Sequence, residues 1–408
     1  MTTPDQDGLD PLHGPSGLSE LHGPSGSSDP HSPSGSSEPS GPSGPSELHR
    51  LIELLLAPPL QTADLAGIGG RIRMCPEDFT VHEIPAYAPD GRANAHLLLT
   101  LTKRNIGSED AINEVSRQLN IPRPEIGLAG LKDTVAVTEQ WISVPFAAGP
   151  ALASFSHPQI SLGSPHPHGN KLRRGHLHGN RFILVVRDLA VPGNEAVVRV
   201  AAKRARLAEL GGLDNLYGQQ RLGEDGGNLR RGLAALAAGK RRGRADFLLS
   251  AGQSTMFNLY LLERRARGLL RTVLRGDILK KGVTGGIFEC REPEVDQARL
   301  DSGELGITGP MFGSKMRAPG SGTPSGELER EILARAGISQ TSLSALGNKL
   351  EGTRRPLQLP LPDLEAEAIG PSGDLPPGIR LGFSLPAGSY ATVLLQELQG
   401  PPGAIPRP

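Results

Sequence analysis

Hydrophobic and polar positions change their period along this chain, and each change predicts an element. Leu48, Leu51, Ile52 and Leu55 share one face of a helix at about 47–57, which the pair Pro58-Pro59 stops. Phe79 and Val81 alternate with polar neighbours as in a half-buried strand, and His96 to Thr102 is apolar and strand-like. Ser108 stands where an N-cap belongs, ahead of a helix lined by Ile112, Val115 and Leu119. Trp141 to Val144 and Phe182 to Val186 read as further strands. A helix follows at 194–209, and Ala-Leu-rich helical sequence runs from after Asn215 to about 239. Phe247 to Leu270 reads as one long helix, followed by glycine-rich turns at 282–286 and 303–313 and a helix near 327–336. Between 350 and 378 the prolines Pro356, Pro360, Pro362, Pro376 and Pro377 read as linker. Strands and helices interspersed without a dinucleotide-binding glycine fingerprint predict an α+β fold.

The first 46 residues have no such period. They are dominated by Gly, Pro and Ser, with Leu-His-Gly-Pro-Ser-Gly at 12–17 and again at 21–26. Such sequence buries too little apolar surface to offset the entropy of ordering, so a disordered tail is expected there. It lacks a basic start followed by an apolar stretch, so no secretory leader is expected. The apolar run Leu51 to Leu56 is far short of the roughly 20 residues of a membrane span. Cys75 and Cys290 lie far apart with no metal or redox spacing, which fits reduced thiols in a cytoplasmic protein.

Charge adds a partner to the picture. The formal net charge is zero, but residues 1–50 carry seven acids and one base, so the remainder holds a surplus of six positive charges. Arg221, Arg230, Arg231, Lys240, Arg241, Arg242 and Arg244 gather against only Glu224 and Asp225, and Lys171, Arg173, Arg174, Arg181 and Arg187 form a second run. Clusters of this kind neutralise phosphates, although solvated helix or loop faces look the same in sequence. His166, His168, His176 and His178 lie close together but without cysteine or carboxylate partners at ligand spacing, so no metal is expected.

The candidate chemistry sits in Gly127-Leu128-Ala129-Gly130-Leu131-Lys132-Asp133-Thr134, a glycine-rich turn ahead of a strand-like run. Glycines admit backbone angles that other residues resist, so this turn can aim a carboxylate into a cleft. Lys132 beside Asp133 is expected to favour the charged form, which acts as nucleophile or base. An aspartate after glycines also commonly only caps a turn. A non-catalytic RNA-binding factor would need the basic runs but not Asp133. A nucleoside hydrolase would need a carboxylate but no large basic surface, and this chain has both.

Gly-Leu-Lys-Asp with Ala136, Thr138, Gln140 and Trp141 resembles the signature of the TruD family of tRNA pseudouridine synthases, in which that aspartate is catalytic. Pro76-Glu77-Asp78-Phe79-Thr80-Val81-His82-Glu83 resembles the family's PEDFxVxE segment. Leu172 to Phe182 resembles KLRxGxLxGNxF, Asn215 to Gly223 resembles NYFGxQRFG, and Leu385 to Thr392 resembles LPAGSFAT. Five blocks in one order, from about residue 70 to about 398, are far more specific than any single motif.

The resemblance implies a tRNA pseudouridine synthase that isomerises uridine, with tRNA as partner, no cofactor, and a monomeric state. Family members of bacterial type act at tRNA position 13. It implies a catalytic domain built on a mostly antiparallel sheet with flanking helices, spanning 47–241 and resumed at 352–408, around an inserted α+β domain at 242–351. It places Phe79 and Tyr390 at the family's substrate-contacting aromatic positions and Asn215 at its pocket asparagine. Arg73 stands where the family commonly has lysine. Leu216-Tyr217, Leu222 and Tyr390 stand where it commonly has phenylalanine.

Overall fold

A computed structural model describes residues 47–91, 95–223, 225–240 and 246–401. The tail at 1–46 and the basic residues Arg241, Arg242 and Arg244 lie outside the described residues. In chain order the helices are α1 Glu47–Leu56, α2 Ser108–Leu119, α3 Gly149–Leu152, α4 Gly193–Glu209, α5 Gln219–Leu222, α6 Gly227–Ala238, α7 Asp246–Ala266, α8 Pro293–Asp301, α9 Pro324–Arg335, α10 Gln340–Leu346 and α11 Ala391–Gln399. The strands are β1 Gly69–Ile72, β2 Phe79–Pro85, β3 His96–Arg104, β4 Gly127–Leu128, β5 Val137–Pro145, β6 Ile160–Leu162, β7 His166–His168, β8 Leu177–Leu189, β9 Leu213–Asp214, β10 Ile278–Lys281, β11 Ile287–Glu289, β12 Leu305–Met311, β13 Thr353–Pro356, β14 Gln358–Leu359, β15 Glu365–Ile369 and β16 Gly378–Pro386.

Among the described residues, ten strands form one sheet whose main path is β15-β16-β8-β2-β5-β3-β6. Its pairings are antiparallel except for β2 beside β5, where Thr80 stands opposite Val137 and His82 opposite Glu139. That parallel pairing brings the end of the Asp133 turn beside the start of β2. The register also builds an aromatic row, because Val81 pairs with Phe182 and Phe182 with Phe383. Phe182 stacks on Phe383 at 5.3 Å and meets Phe79 edge-on at 6.4 Å. Offset and edge contacts of this kind suit the ring quadrupole and stiffen the sheet face they share.

A smaller sheet in the order β11-β10-β12-β13 follows α7. Here the expected glycine-rich turn at 303–313 is corrected, since β12 occupies most of it. Its glycines do not break the strand because one of them is needed by packing. A Cβ at Gly309 would come within 2.8 Å of Leu357 and 2.9 Å of the Phe257 ring. The proline-rich stretch is likewise more than linker. β13 pairs with β12, β14 with β9 and β15 with β16, so these short strands stitch the return of the chain into three different places. The helix expected to Leu270 ends at Ala266, where buried Arg264 turns to cap the following turn, donating to the carbonyls of Leu269 and Thr272 and pairing with Asp277 at 2.6 Å.

One apolar core extends from Leu184 and Phe383 of the large sheet through Phe257 and Tyr260 of α7 to Ile307 of β12 and Ile332 of α9. A second lies farther along the same sheet, where Leu99, Leu101 and Ile142 meet Ile112 and Val115 of α2. Among the described residues no helix is long and apolar enough to cross a membrane.

Candidate active site

The Asp133 turn joins β4 to β5, and its shape comes from close approach and hydrogen bonds rather than unusual glycine angles. At Gly127 a Cβ would lie 2.3 Å from the Leu172 carbonyl oxygen and 2.4 Å from Ser143 Oγ, so only glycine fits. Neither Gly127 nor Gly130 has a positive φ, which corrects the expected conformational role of both. Ser108 is also corrected. Gly107 is the N-cap of α2, and the Ser108 hydroxyl instead accepts from Lys132 N at 2.9 Å and donates to Lys132 O at 3.2 Å. Behind the turn, Lys103 Nζ donates to the Asp133 carbonyl at 2.5 Å and to the Ile106 carbonyl at 2.7 Å.

Lys132 does not serve its neighbour. Its ammonium turns inward, meets Glu83 Oε2 at 2.6 Å and Asn180 Oδ1 at 2.8 Å, and is only 6% exposed. Glu83 Oε1 also accepts from Trp141 N at 3.2 Å, tying the middle of β5 to the same carboxylate. The cation that reaches Asp133 is Arg73, with Nη2 3.2 Å from Oδ1. Its guanidinium also lies 3.9 Å from the centroid of the Phe79 ring. Arg73 holds a φ of 59°, a left-handed conformation that costs a side-chain-bearing residue on the order of 1 kcal/mol, and its Nε is buried with no hydrogen-bond partner. Strain and an orphaned donor on one residue single Arg73 out as a candidate site residue.

Asp133, Arg73 and Phe79 line a cleft of about 300 Å³ with Asn180, Phe182, Gln220 and Tyr390. Asp133 is one-third exposed at this cleft, flanked by Leu131 at 54% exposure. A carboxylate, three aromatic side chains and amides converge in a space of nucleobase size, which is what a pocket for an unstacked base requires. Tyr390, at the N-terminus of α11, packs edge-on against Tyr217 at 5.6 Å. Burial pushes its hydroxyl above the usual phenol range, with Tyr217 adding to the rise and Arg221 and Arg355 opposing it.

Asn215 is the expected site residue that does not line the cleft. It is buried one layer behind, where Nδ2 donates to the Pro356 carbonyl at 2.9 Å and Oδ1 accepts from Arg355 and from Ser389 Oγ, the latter at 3.3 Å. Arg355 donates further to the Asn215 carbonyl at 3.0 Å and the Gly388 carbonyl at 2.9 Å, and its guanidinium lies 4.1 Å from the Tyr217 ring centroid. Asn215 and Arg355 thus hold the loop that presents Tyr390.

Glu83, Asn180 and Gln220 sit inside the motif blocks, so their signal was present without a role attached. Lys103 had a fainter one, because it continues the inward phase of Leu99 and Leu101 along β3, where a lysine is out of place. Arg355, beside Pro356, carried none.

The basic runs separate. Arg173 and Arg174 are exposed, whereas Arg187 is buried against Asp78 at 2.9 Å and Arg181 pairs with Asp363 at 2.7 Å. Arg221 is turned to Ser250 and Ser254, and Arg230 to the Asp225 carbonyl. Of the four histidines, His168 and His176 meet Tyr87, which stacks on His168 at 5.2 Å and shares a 2.8 Å hydrogen bond with His176 Nδ1.

Comparison with known proteins gives a single result. The family model described as tRNA pseudouridine synthase D (TruD) matches residues 59–240 and 244–398. A tRNA pseudouridine synthase D of Anaeromyxobacter sp. (strain Fw109-5) is 42% identical over 362 residues, covering 85% of this chain and 97% of that one. A Thermus thermophilus protein of the same name is 40% identical over 346 residues, covering 83% and 91%. A crystal structure of a putative tRNA pseudouridine synthase D from Methanosarcina mazei shares the fold, with a TM-score of 0.68 at 22% identity over 86% of this chain and 98% of that one.

Proposed function

The chain belongs to the TruD family of tRNA pseudouridine synthases, isomerases that act on tRNA, and on that premise we propose that Asp133 is its catalytic carboxylate and that its target is the uridine at position 13. The reaction breaks the N1–C1′ bond of uridine and forms a C5–C1′ bond, while C5 loses a proton and N1 gains one. Nothing is oxidised or reduced, and the atoms of substrate and product are the same. Chemistry of that kind needs a carboxylate either to add covalently or to take the ribose 2′ proton, and a pocket that holds the base out of its stack.

The observation that carries this reading is the pairing of Asp133 with Arg73 at the mouth of a cleft walled by Phe79 and Tyr390. Arg73 orients the carboxylate toward the opening, Tyr390 offers a ring face on which a uracil stacks, and Phe79, buried under the Arg73 guanidinium, backs the cleft. Asn180 and Gln220 supply amides for its polar edges. Asn215 acts one step removed, through the loop that carries Tyr390. Exposed Arg173 and Arg174 contribute phosphate contacts, so tRNA binding weakens steeply with salt. We read the chain as a monomer that works in the cytoplasm, with the segment 242–351 forming the far wall of the RNA groove.

The test is conversion of uridine to pseudouridine in tRNA by the purified protein, mapped by carbodiimide-dependent reverse-transcription stops. Asp133→Asn should abolish the stop while leaving the melting temperature and tRNA affinity unchanged. Retained turnover in that variant overturns the assignment of Asp133. Mapping total tRNA from a strain lacking the protein tests the position, because loss at a site other than 13 refutes the target and spares the reaction.

A further inference from the structure

Beneath the Asp133 turn lies a group that the reaction does not call for. Lys103, on β3, is fully buried, a state that lysine almost never adopts without an acidic partner. Its ammonium donates to two main-chain carbonyls, that of Asp133 at 2.5 Å and that of Ile106 at 2.7 Å. Ile106 belongs to the loop leading into α2, and Ser108 of that helix grips Lys132 through both its N–H and its carbonyl. Lys103 therefore joins three pieces of chain: its own strand, the entry to α2, and the peptide of the reactive aspartate.

We infer that Lys103 is a positioning residue for the reaction, holding the backbone of Asp133 by a charge-assisted hydrogen bond from below so that the carboxylate meets the ribose at a fixed depth. The inference rests on Asp133 being the catalytic group. Lys132 anchors the turn from one side through Glu83 and Asn180, and Arg73 holds the carboxylate from above. Lys103 alone among these three cations bonds to the Asp133 main chain. Loss of a fixed backbone displaces the carboxylate without removing it, and a displacement of about 1 Å can slow an enzyme by roughly 100-fold.

The charged groups acting on Lys103 are Asp133 and Lys132, both on the turn. Burial brings its ammonium down to about 8, with Asp133 opposing the fall and Lys132 adding to it. Arg104, next along the strand, is engaged outward with Glu77 at 2.5 Å. Asp110, in the first turn of α2, lies beside Gly107 and Thr134. The ammonium is thus charged in neutral solution and gives up its proton in mild alkali, which removes the charge assistance from its bond to the Asp133 carbonyl and loosens that hold. The unfolded chain holds that proton to higher pH, so deprotonation in this window raises stability rather than lowering it. A loss of rate there without a loss of melting temperature is a signature that general weakening of the fold cannot produce.

Single-turnover release of tritium from C5-tritiated uridine in a tRNA transcript reads the step. In the unaltered protein the rate should fall above pH about 8 toward a lower plateau, at constant tRNA affinity and with no drop in melting temperature. Lys103→Met should be slower by about 100-fold with filter-binding affinity changed less than about twofold. Lys103→Arg, which stays charged throughout, should recover at least about tenfold of that loss and should not show the alkaline fall below pH 9 or so. A Lys103→Met protein at the full rate, an unaltered protein with no fall near pH 8, or the same fall in Lys103→Arg overturns the inference. If Lys103→Met fails to fold, the profiles of the other two decide. An inactive Asp133→Asn beside an unimpaired Lys103→Met refutes only the positioning role, whereas an active Asp133→Asn refutes the assignment on which it rests.

Discussion

The two walls of the cleft are built in opposite ways. The Asp133 wall is held by ions: Lys132 with Glu83, Arg73 with Asp133, and Lys103 under the turn. The Tyr390 wall is held by a relay of hydrogen bonds between Arg355, Asn215 and Ser389, with the guanidinium packed on the Tyr217 ring. Ionic anchors fix a point charge in space, and a hydrogen-bonded loop with aromatic packing fixes a surface. With Asp133 proposed as the catalytic carboxylate, the first wall would carry the chemistry and the second recognition, so lesions in the two should separate in kinetics.

The largest effect should come from the charge itself. Asp133→Asn keeps the shape of the turn and removes the carboxylate, and its turnover should fall by about 10³-fold or more, measured by tritium release under single-turnover conditions. A fall of only a few-fold would mean that the ionic wall is scaffolding and would reverse the comparison.

Next is the anchor behind it. Glu83→Gln leaves the Lys132 ammonium buried without its carboxylate, which should cost about 3 kcal/mol in denaturant unfolding, because breaking one partner of a buried pair strands the other. The exposed pair Lys315–Glu351 is the control, since Glu351→Gln should change stability by less than about 0.5 kcal/mol. Equal effects from the two would contradict the burial of the Lys132 anchor.

On the other wall, Asn215→Ala removes acceptors from Arg355 and Ser389 while leaving Asp133 untouched. It should cost about 2 kcal/mol of stability and raise KM for tRNA more than it lowers kcat. A selective loss of kcat would move Asn215 from the recognition wall to the chemistry.

The smallest effect is expected at Tyr390→Phe, which keeps the ring face and deletes the hydroxyl. Activity should stay within about threefold, and the alkaline limb of the pH profile should not move. Burial raises the Tyr390 hydroxyl, so it stays protonated throughout the working range and its removal changes no titration below pH 10 or so. Tyr390→Ala, by contrast, should lose about 1–3 kcal/mol of binding, the worth of a stacked base. A shifted alkaline limb in Tyr390→Phe would give this wall a proton to move.

The order of the motif blocks, the α+β class, the helices α1, α2 and α4, and the candidacy of Asp133 were legible in the sequence, because amphipathic period, proline stops and short motifs are local properties of the chain. Which cation serves Asp133 was not. Adjacent Lys132 was the natural choice along the chain, yet neighbouring side chains on a turn point apart, and the parallel pairing of β2 with β5 delivers Arg73 instead. The strand β12 hid behind its glycines because Gly309 is needed by the approach of Phe257 and Leu357 from elsewhere in the fold. Asn215 reads as a pocket residue in its motif, but the return of the chain at Arg355 engages its side chain and seats it behind the wall. Local pattern determined which residues were available for the chemistry. Burial and long-range pairing decided what each of them touches, since the partner of a charge is set by what lies within a few ångströms of it, not by what stands beside it in the chain.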